Sequence, residues 1–248
     1  MLGPQCCENP PNFSSGGWGE GSVVELCGLK TYISGSSSSS TFAVLLISDV
    51  HGYEAPKLRK LADKVASAGY YVVVPDFFDG EYFRAPGDKR SLADWVNSHP
   101  TAKGVEDAKP IIQALKKQGI SEVGAAGFCW GGKVVAELAK SDHIQAAVLL
   151  HPAMVTVDDI KEVRVAIAVL GAEFDNLSPP ELLKQFEPVL STKPKVDSYV
   201  KIFHGTKHGW TTRYKDEDKM EVESAEEAHK ELITWFNKHL KLKRIAKI

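Results

Sequence analysis

From Thr41 onward the chain alternates short apolar runs with amphipathic spacings. The apolar runs cover residues 42–47, 70–74, 123–126, 146–150, 165–170 and 199–203. They are rich in Val, Ile and Leu and show little in/out alternation, the pattern of parallel strands covered on both faces. Between them, Leu58, Leu61, Val65 and Ala68 share one helix face, as do Val105, Ala108, Ile112 and Leu115. Pro110 predicts a kink or a restart in the second of these helices. Further helices are expected at 132–139, 181–190 and 222–240, the last stacking Ala225, Ala228, Leu232 and Trp235 against a charged face. Strands alternating with helices imply right-handed crossovers and a mostly parallel, twisted sheet with helices on both faces, an α/β architecture.

The start of the chain reads differently. Residues 1–22 are rich in Pro, Gly, Ser and Asn and lack periodicity, which predicts an irregular N-terminal tail. Residues 23–33 hold short strand-like pieces, and the serine run 35–40 reads as a hairpin connection to the next strand, with an interdomain linker as the rival. Residues 23–248 are therefore expected to form a single domain.

Composition narrows the function classes. The chain has 248 residues, 43% hydrophobic and 25% charged, with a formal net charge of −2. These values exclude collagen-like and disordered chains. They supply no basic field for nucleic acid and no polybasic membrane anchor. No apolar run reaches the length of a membrane span, and no secretory leader is visible, so a cytoplasmic protein, monomeric by default, is expected. The four cysteines, Cys6, Cys7, Cys27 and Cys129, form no disulfide framework or zinc-knuckle spacing. No metal and no cofactor is expected.

Cys129 stands apart because of its neighbours. Gly127-Phe128-Cys129-Trp130-Gly131 lies between an apolar strand and a helix. This is the nucleophile-elbow pattern with cysteine in the nucleophile position. Such a turn presents the sulfur at the carboxyl end of the sheet, over a helix N-terminus whose partial positive charge favours thiolate. The pattern requires an acid and then a histidine later in the chain. Asp175 and His208 each lie five residues beyond a predicted strand, with Glu173 and His204 as rivals. In these roles His208 takes the thiol proton and Asp175 fixes the imidazole tautomer. His99, His143, His151, His229 and His239 read as surface or packing residues.

With Cys129, Asp175 and His208 in place, the sequence resembles the dienelactone hydrolase family, a cysteine-nucleophile branch of the α/β-hydrolase fold. The marks run in order from about residue 23 to 240: Ser48-Asp49-Val50-His51-Gly52, Val74-Pro75-Asp76, the Cys129 elbow, Phe174-Asp175, and His208-Gly209-Trp210 followed by Arg213. The resemblance implies that Cys129, Asp175 and His208 form the triad. It places Asp49 where the family's thiolate-supporting glutamate stands, and the oxyanion donors at the backbone N–H groups of Trp130 and Val50. Bacterial members hold a substrate carboxylate with two arginines; Arg213 matches one, with Arg84 and Arg90 as candidates for the other. Trp210, His51 and Tyr53 complete the candidate substrate-binding set. The implied activity is hydrolysis of a small ester or lactone through a cysteine acyl-enzyme. Two alternatives remain: a mixed-linkage β-glucanase, as some plant relatives are labelled, and a ligand-binding relative without turnover.

Overall fold

The computed structural model describes residues 4–13, 19–84 and 87–242. Parts of the expected tail, residues 1–3 and 14–18, and the chain beyond 242 lie outside the described residues. One eight-stranded sheet runs in the order β1-β2-β4-β3-β5-β6-β7-β8. Its strands are β1 (Ser22–Leu26), β2 (Leu29–Ser34), β3 (Phe42–Ile47), β4 (Tyr71–Pro75), β5 (Glu122–Phe128), β6 (Ala146–Leu150), β7 (Ala166–Phe174) and β8 (Ser198–Lys207). From β4 through β3 to β8 every pairing is parallel, while β1 and β2 are antiparallel additions at one edge.

Successive side chains of the central strands point to opposite faces, and both faces are buried. On one face Ala43, Leu45 and Ile47 of β3 belong to a buried cluster that includes Val134 and Val135 of α4 (Trp130–Leu138) and, farther along the sheet, Leu183 and Phe186 of α6 (Pro180–Ser191). On the other, Val44 and Leu46 meet Leu58 and Leu61 of α1 (Pro56–Ser67) and Leu232 and Phe236 of α7 (Lys219–Phe236). This two-sided burial explains why the strands read as continuous apolar runs.

Several local expectations change. The hairpin is not made by the serine run: β2 pairs with β4, and residues 35–40 lead to β3 on the far side of β4. The tight turn is Cys27-Gly28, where Leu26 faces Leu29 and both turn residues have positive φ, 55° and 83°. Two successive left-handed residues match the right-handed twist of the flanking strands. Pro110 does not restart its helix; α3 runs unbroken over Thr101–Lys117. Two short helices lie outside the expected set, α2 (Leu92–Ser98) and α5 (Val157–Glu162), although each opens on a capping pattern, Ser91 with Asp94 and Thr156 with Asp159. The final helix continues into a π-helical turn over Asn237–Leu242. In the tail, Pro4–Cys7 form a 3-10 turn with Cys6 fully buried, whereas an irregular segment was expected.

Helix α5 steadies α4, the helix that leaves the elbow. Asp159 closes a capping box with Thr156, and its Oδ1 lies 2.7 Å from Lys133 Nζ of α4 and 2.9 Å from Lys140 Nζ. Burial alone would raise the Asp159 carboxyl, but Lys133, the Thr156 N–H and Lys140 outweigh it and hold it below the usual carboxylate range. A depressed carboxylate stabilises the fold above its unfolded-state value near 4, and the contribution is lost as pH falls further. Asp159→Asn is therefore expected to lower stability at pH 7 by about 1–3 kcal/mol. Urea unfolding of both proteins at about pH 7 and pH 3 should show that gap narrowing in acid.

Candidate active site

The parallel strands share one carboxyl edge, and the candidate residues stand immediately beyond it. Ser48 and Asp49 follow β3, Cys129 follows β5, His151 follows β6, Asp175 follows β7 and His208 follows β8. Asp175 and His208 are the first residues past their strands rather than the fifth. β7 and β8 pair as far as Phe174 and Lys207, across an irregularity between Ala172 and Phe174, where neither sequence is apolar.

Cys129 turns the chain sharply, with φ 52° and ψ −110°. Such a conformation costs a non-glycine residue about 1–3 kcal/mol unless its surroundings impose it. The flanking glycines do so. A Cβ on Gly127 would sit 2.1 Å from the Gly131 carbonyl oxygen, and one on Gly131 would sit 2.2 Å from that of Ile47. Trp130 begins α4, so its N–H is among the helix's unpaired first donors. Its ring is held elsewhere: Nε1 donates to the His99 carbonyl at 2.9 Å and the ring meets Phe78. Val50, the other expected donor, is buried in the same apolar cluster as Cys129.

Asp175 and His208 meet as expected. Asp175 Oδ2 is 2.8 Å from His208 Nδ1, and both side chains are inaccessible to solvent. The other carboxylate oxygen accepts the N–H groups of Leu177 and Ser178 at 2.8 and 3.2 Å. That leaves Nε2 of His208 buried and without a hydrogen-bond partner. The His208 ring and the sulfurs of Cys129 and Cys6 offer donor atoms within 4.8 Å of one another. The rivals are resolved by position: His204 is exposed, and Glu173 accepts the Gly205 N–H.

His151, read from sequence as a surface or packing residue, belongs to the site. Its ring lies edge-on to His208 at 4.9 Å between centroids, and Nε2 pairs with Thr211 Oγ1 at 2.8 Å. Burial foremost, with charge on His208, pushes it well below its ordinary value, so it is a neutral buttress. The signal that could have found it is its place directly after β6. Trp210 packs on His151 and Phe203, with ring centroids 5.4 and 5.3 Å away.

Arg213 and Asp49 are already engaged. Arg213 Nε lies 3.3 Å from Asp49 Oδ2, with both side chains nearly fully buried. Asp49 Oδ1 accepts the His51 N–H at 2.9 Å. Arg213 Nη1 donates to the carbonyls of Cys6 and Glu8 at 2.7 and 2.8 Å. His51 is buried, with Nδ1 3.1 Å from the Phe83 carbonyl. Tyr53 is not brought to the sulfur; it packs in the α1 cluster with the Arg59 guanidinium over its ring at 5.0 Å. Nor do the other arginines reach the triad. Arg84 is exposed over Tyr82, and Arg90 is paired with Asp88.

Cys6 has no counterpart in the sequence reading. Its sulfur is 3.3 Å from that of Cys129, and neither residue is exposed. This contact adds to burial in setting the state of the thiol. Burial foremost, and then Cys6, pushes Cys129 well above its ordinary value, against the pull of His208. A helix N-terminus contributes up to about 2 kcal/mol, whereas full burial shifts such groups by up to 3–5 units at about 1.4 kcal/mol each. Desolvation is the larger of these two effects, so burial favours the neutral thiol over the thiolate. His208 is lowered by burial but raised more by the Cys129 sulfur and Asp175, reaching about 9. The thiol and the imidazole thus titrate as a pair, and one proton can sit on either.

A sequence model described as "Dienelactone hydrolase family" matches residues 29–240. A Zea mays protein named "Endo-1,3;1,4-beta-D-glucanase" is 46% identical over 197 residues, which span 77% of this chain and 63% of that one. A Xenopus tropicalis "Carboxymethylenebutenolidase homolog" is 30% identical over 89% of this chain and 92% of its own. Among solved structures, a "Putative Dienelactone Hydrolase" from Klebsiella pneumoniae superposes with a TM-score of 0.70 at 16% identity, covering 85% of this chain and 93% of its own. That likeness shows a shared α/β-hydrolase fold. Among the described residues no helix is long and apolar enough to cross a membrane.

Removing one partner of a buried ion pair leaves an uncompensated charge, which costs about 3–5 kcal/mol. Arg213→Ala is expected to lose that much, because Asp49 stays buried and the Cys6 and Glu8 carbonyls lose their donor. Urea titrations of variant and parent, with unchanged m values, provide the check.

Proposed function

The chain belongs to the dienelactone hydrolase family and is a hydrolase of ester bonds, and on that premise we propose that it cleaves a small ester or lactone through a thioester on Cys129. The observation that carries this is the Asp175–His208 pair at 2.8 Å, with the unpartnered Nε2 of His208 beside the elbow cysteine. Proton transfer from sulfur to Nε2 creates the nucleophile and an imidazolium that Asp175 steadies. The thiolate attacks the carbonyl, and the developing oxyanion is received by the backbone N–H groups of Trp130 and Val50. Collapse expels the alcohol oxygen, which takes the proton from His208. Water deprotonated by His208 then releases the acid and restores the thiol. His151 holds the His208 ring in plane for both transfers without competing for the proton.

A glycan substrate is the second reading, favoured by the name of the maize relative. Glycoside hydrolysis usually needs two carboxyl groups facing one bond, one of them protonated. The two buried carboxylates beside this site are committed, Asp175 to His208 and Asp49 to Arg213. An acyl-transfer site fits them better.

Cys129→Ala is expected to lower turnover of an activated ester or dienelactone by about 10⁶-fold, and Asp175→Asn by about 10⁴-fold, as losses of nucleophile and tautomer control do elsewhere. Iodoacetamide should inactivate the parent and leave the alanine variant's residual rate untouched. Full turnover by Cys129→Ala would end the acyl-enzyme reading. Reducing-sugar release from mixed-linkage glucan that survives the substitution would favour the glycan reading.

A further inference from the structure

The N-terminal segment lies over the nucleophile, and its anchorage is specific. Gln5 donates through Nε2 to the Phe174 carbonyl at 3.2 Å, and its Oε1 accepts the Asn176 N–H at 2.6 Å. These contacts fix the segment to the loop that carries Asp175. Arg213 holds the Cys6 and Glu8 carbonyls from the other side. Between these anchors Cys6 is delivered to Cys129 across 123 positions of sequence, sulfur to sulfur at 3.3 Å.

We propose that Cys6 and Cys129 form a reversible disulfide under hydroperoxide oxidation, with Cys6 as the resolving thiol that protects and switches off the nucleophile. The oxidant is a hydroperoxide, hydrogen peroxide or an organic one. In the first step the Cys129 sulfur attacks the peroxide, the O–O bond breaks, and the products are Cys129 sulfenic acid and one water or alcohol. In the second the Cys6 sulfur attacks the Cys129 sulfur and displaces hydroxide, which leaves as water with the Cys6 proton. Two thiols are oxidised by two electrons, and one O–O bond is reduced. Sulfenic acids condense in this way with a thiol placed beside them.

Geometry supports each step. The sulfurs need to close only from 3.3 Å to the roughly 2.05 Å of a disulfide. His208 Nε2, buried and unpartnered, is at hand to take the thiol proton and create the attacking thiolate. Cys129 is fully covered while the segment is seated, so oxidation occurs when the segment lifts, and its return brings the resolving thiol. Cys7 is only partly buried, and Cys27 is exposed on the β1–β2 hairpin. The bridge would consume the nucleophile and pin the segment over the site together. Only its consequence for turnover rests on the proposed function; the covalent chemistry does not.

The test uses the reduced full-length chain. It is treated with hydrogen peroxide, quenched with N-ethylmaleimide and digested without reductant for mass spectrometry. The expected product is a peptide joining Cys6 to Cys129, two hydrogens lighter than its parts, with loss of nearly all ester turnover and its return on adding dithiothreitol. In Cys6→Ser the cross-link should vanish and Cys129 should gain two oxygens as sulfinic acid, a loss that dithiothreitol does not reverse. Cys7→Ser should behave as the parent. The proposal is overturned if parent and Cys6→Ser reach sulfinic acid at the same rate, or if Cys129 bridges to Cys7 or Cys27 instead. Should Cys129 prove not to be the nucleophile, the cross-link is still read by mass, so the two failures are told apart.

Discussion

Everything at this site depends on one backbone constraint, the left-handed turn at Cys129 closed between two glycines. Neither glycine has room for a Cβ: the first faces the second's carbonyl, and the second faces the carbonyl of Ile47 at the end of β3. Strand β5, helix α4 and the β3 loop are thereby locked together, with the sulfur at their meeting point. The same closeness sets the end of β3 and Ser48 against the first turn of α4. An added methyl on either glycine collides with backbone across the turn or on a neighbouring element.

A second balance is electrostatic. The helix N-terminus under Cys129 favours thiolate, while burial beneath the Cys6 segment disfavours it, and the second effect is the larger. The Cys129 sulfur and the His208 imidazole beside it therefore titrate as a pair that shares one proton. The N-terminal segment thus takes part in the chemistry of the nucleophile, although it contributes no residue to the triad.

The fold and the gathering of Cys129, Asp175 and His208 were legible because they rest on local patterns. Apolar runs with helical spacings between them give an α/β sheet, and the glycines around Cys129 state their purpose by their separation. Asp175 and His208 follow from chain order and strand ends. His151 obeyed the same rule, as the residue directly after β6, and was passed over because the triad needs only one histidine. Strand ends were misplaced at β7 and β8, where pairing between the two strands, rather than apolar side chains, continues the ladder.

What the sequence determined by itself is therefore the sheet, its two covered faces and the identity of the elbow and its partners, since periodicity, turn geometry and chain order act over short distances. Tertiary structure decided which groups are free to act. It paired Arg213 with Asp49 and the N-terminal carbonyls, turned Tyr53 toward Arg59, left Arg84 and Arg90 outside, and set Cys6 against Cys129. No spacing encodes these contacts. They arise from burial, which forces each polar group removed from water to find whatever partner the folded chain has carried to it.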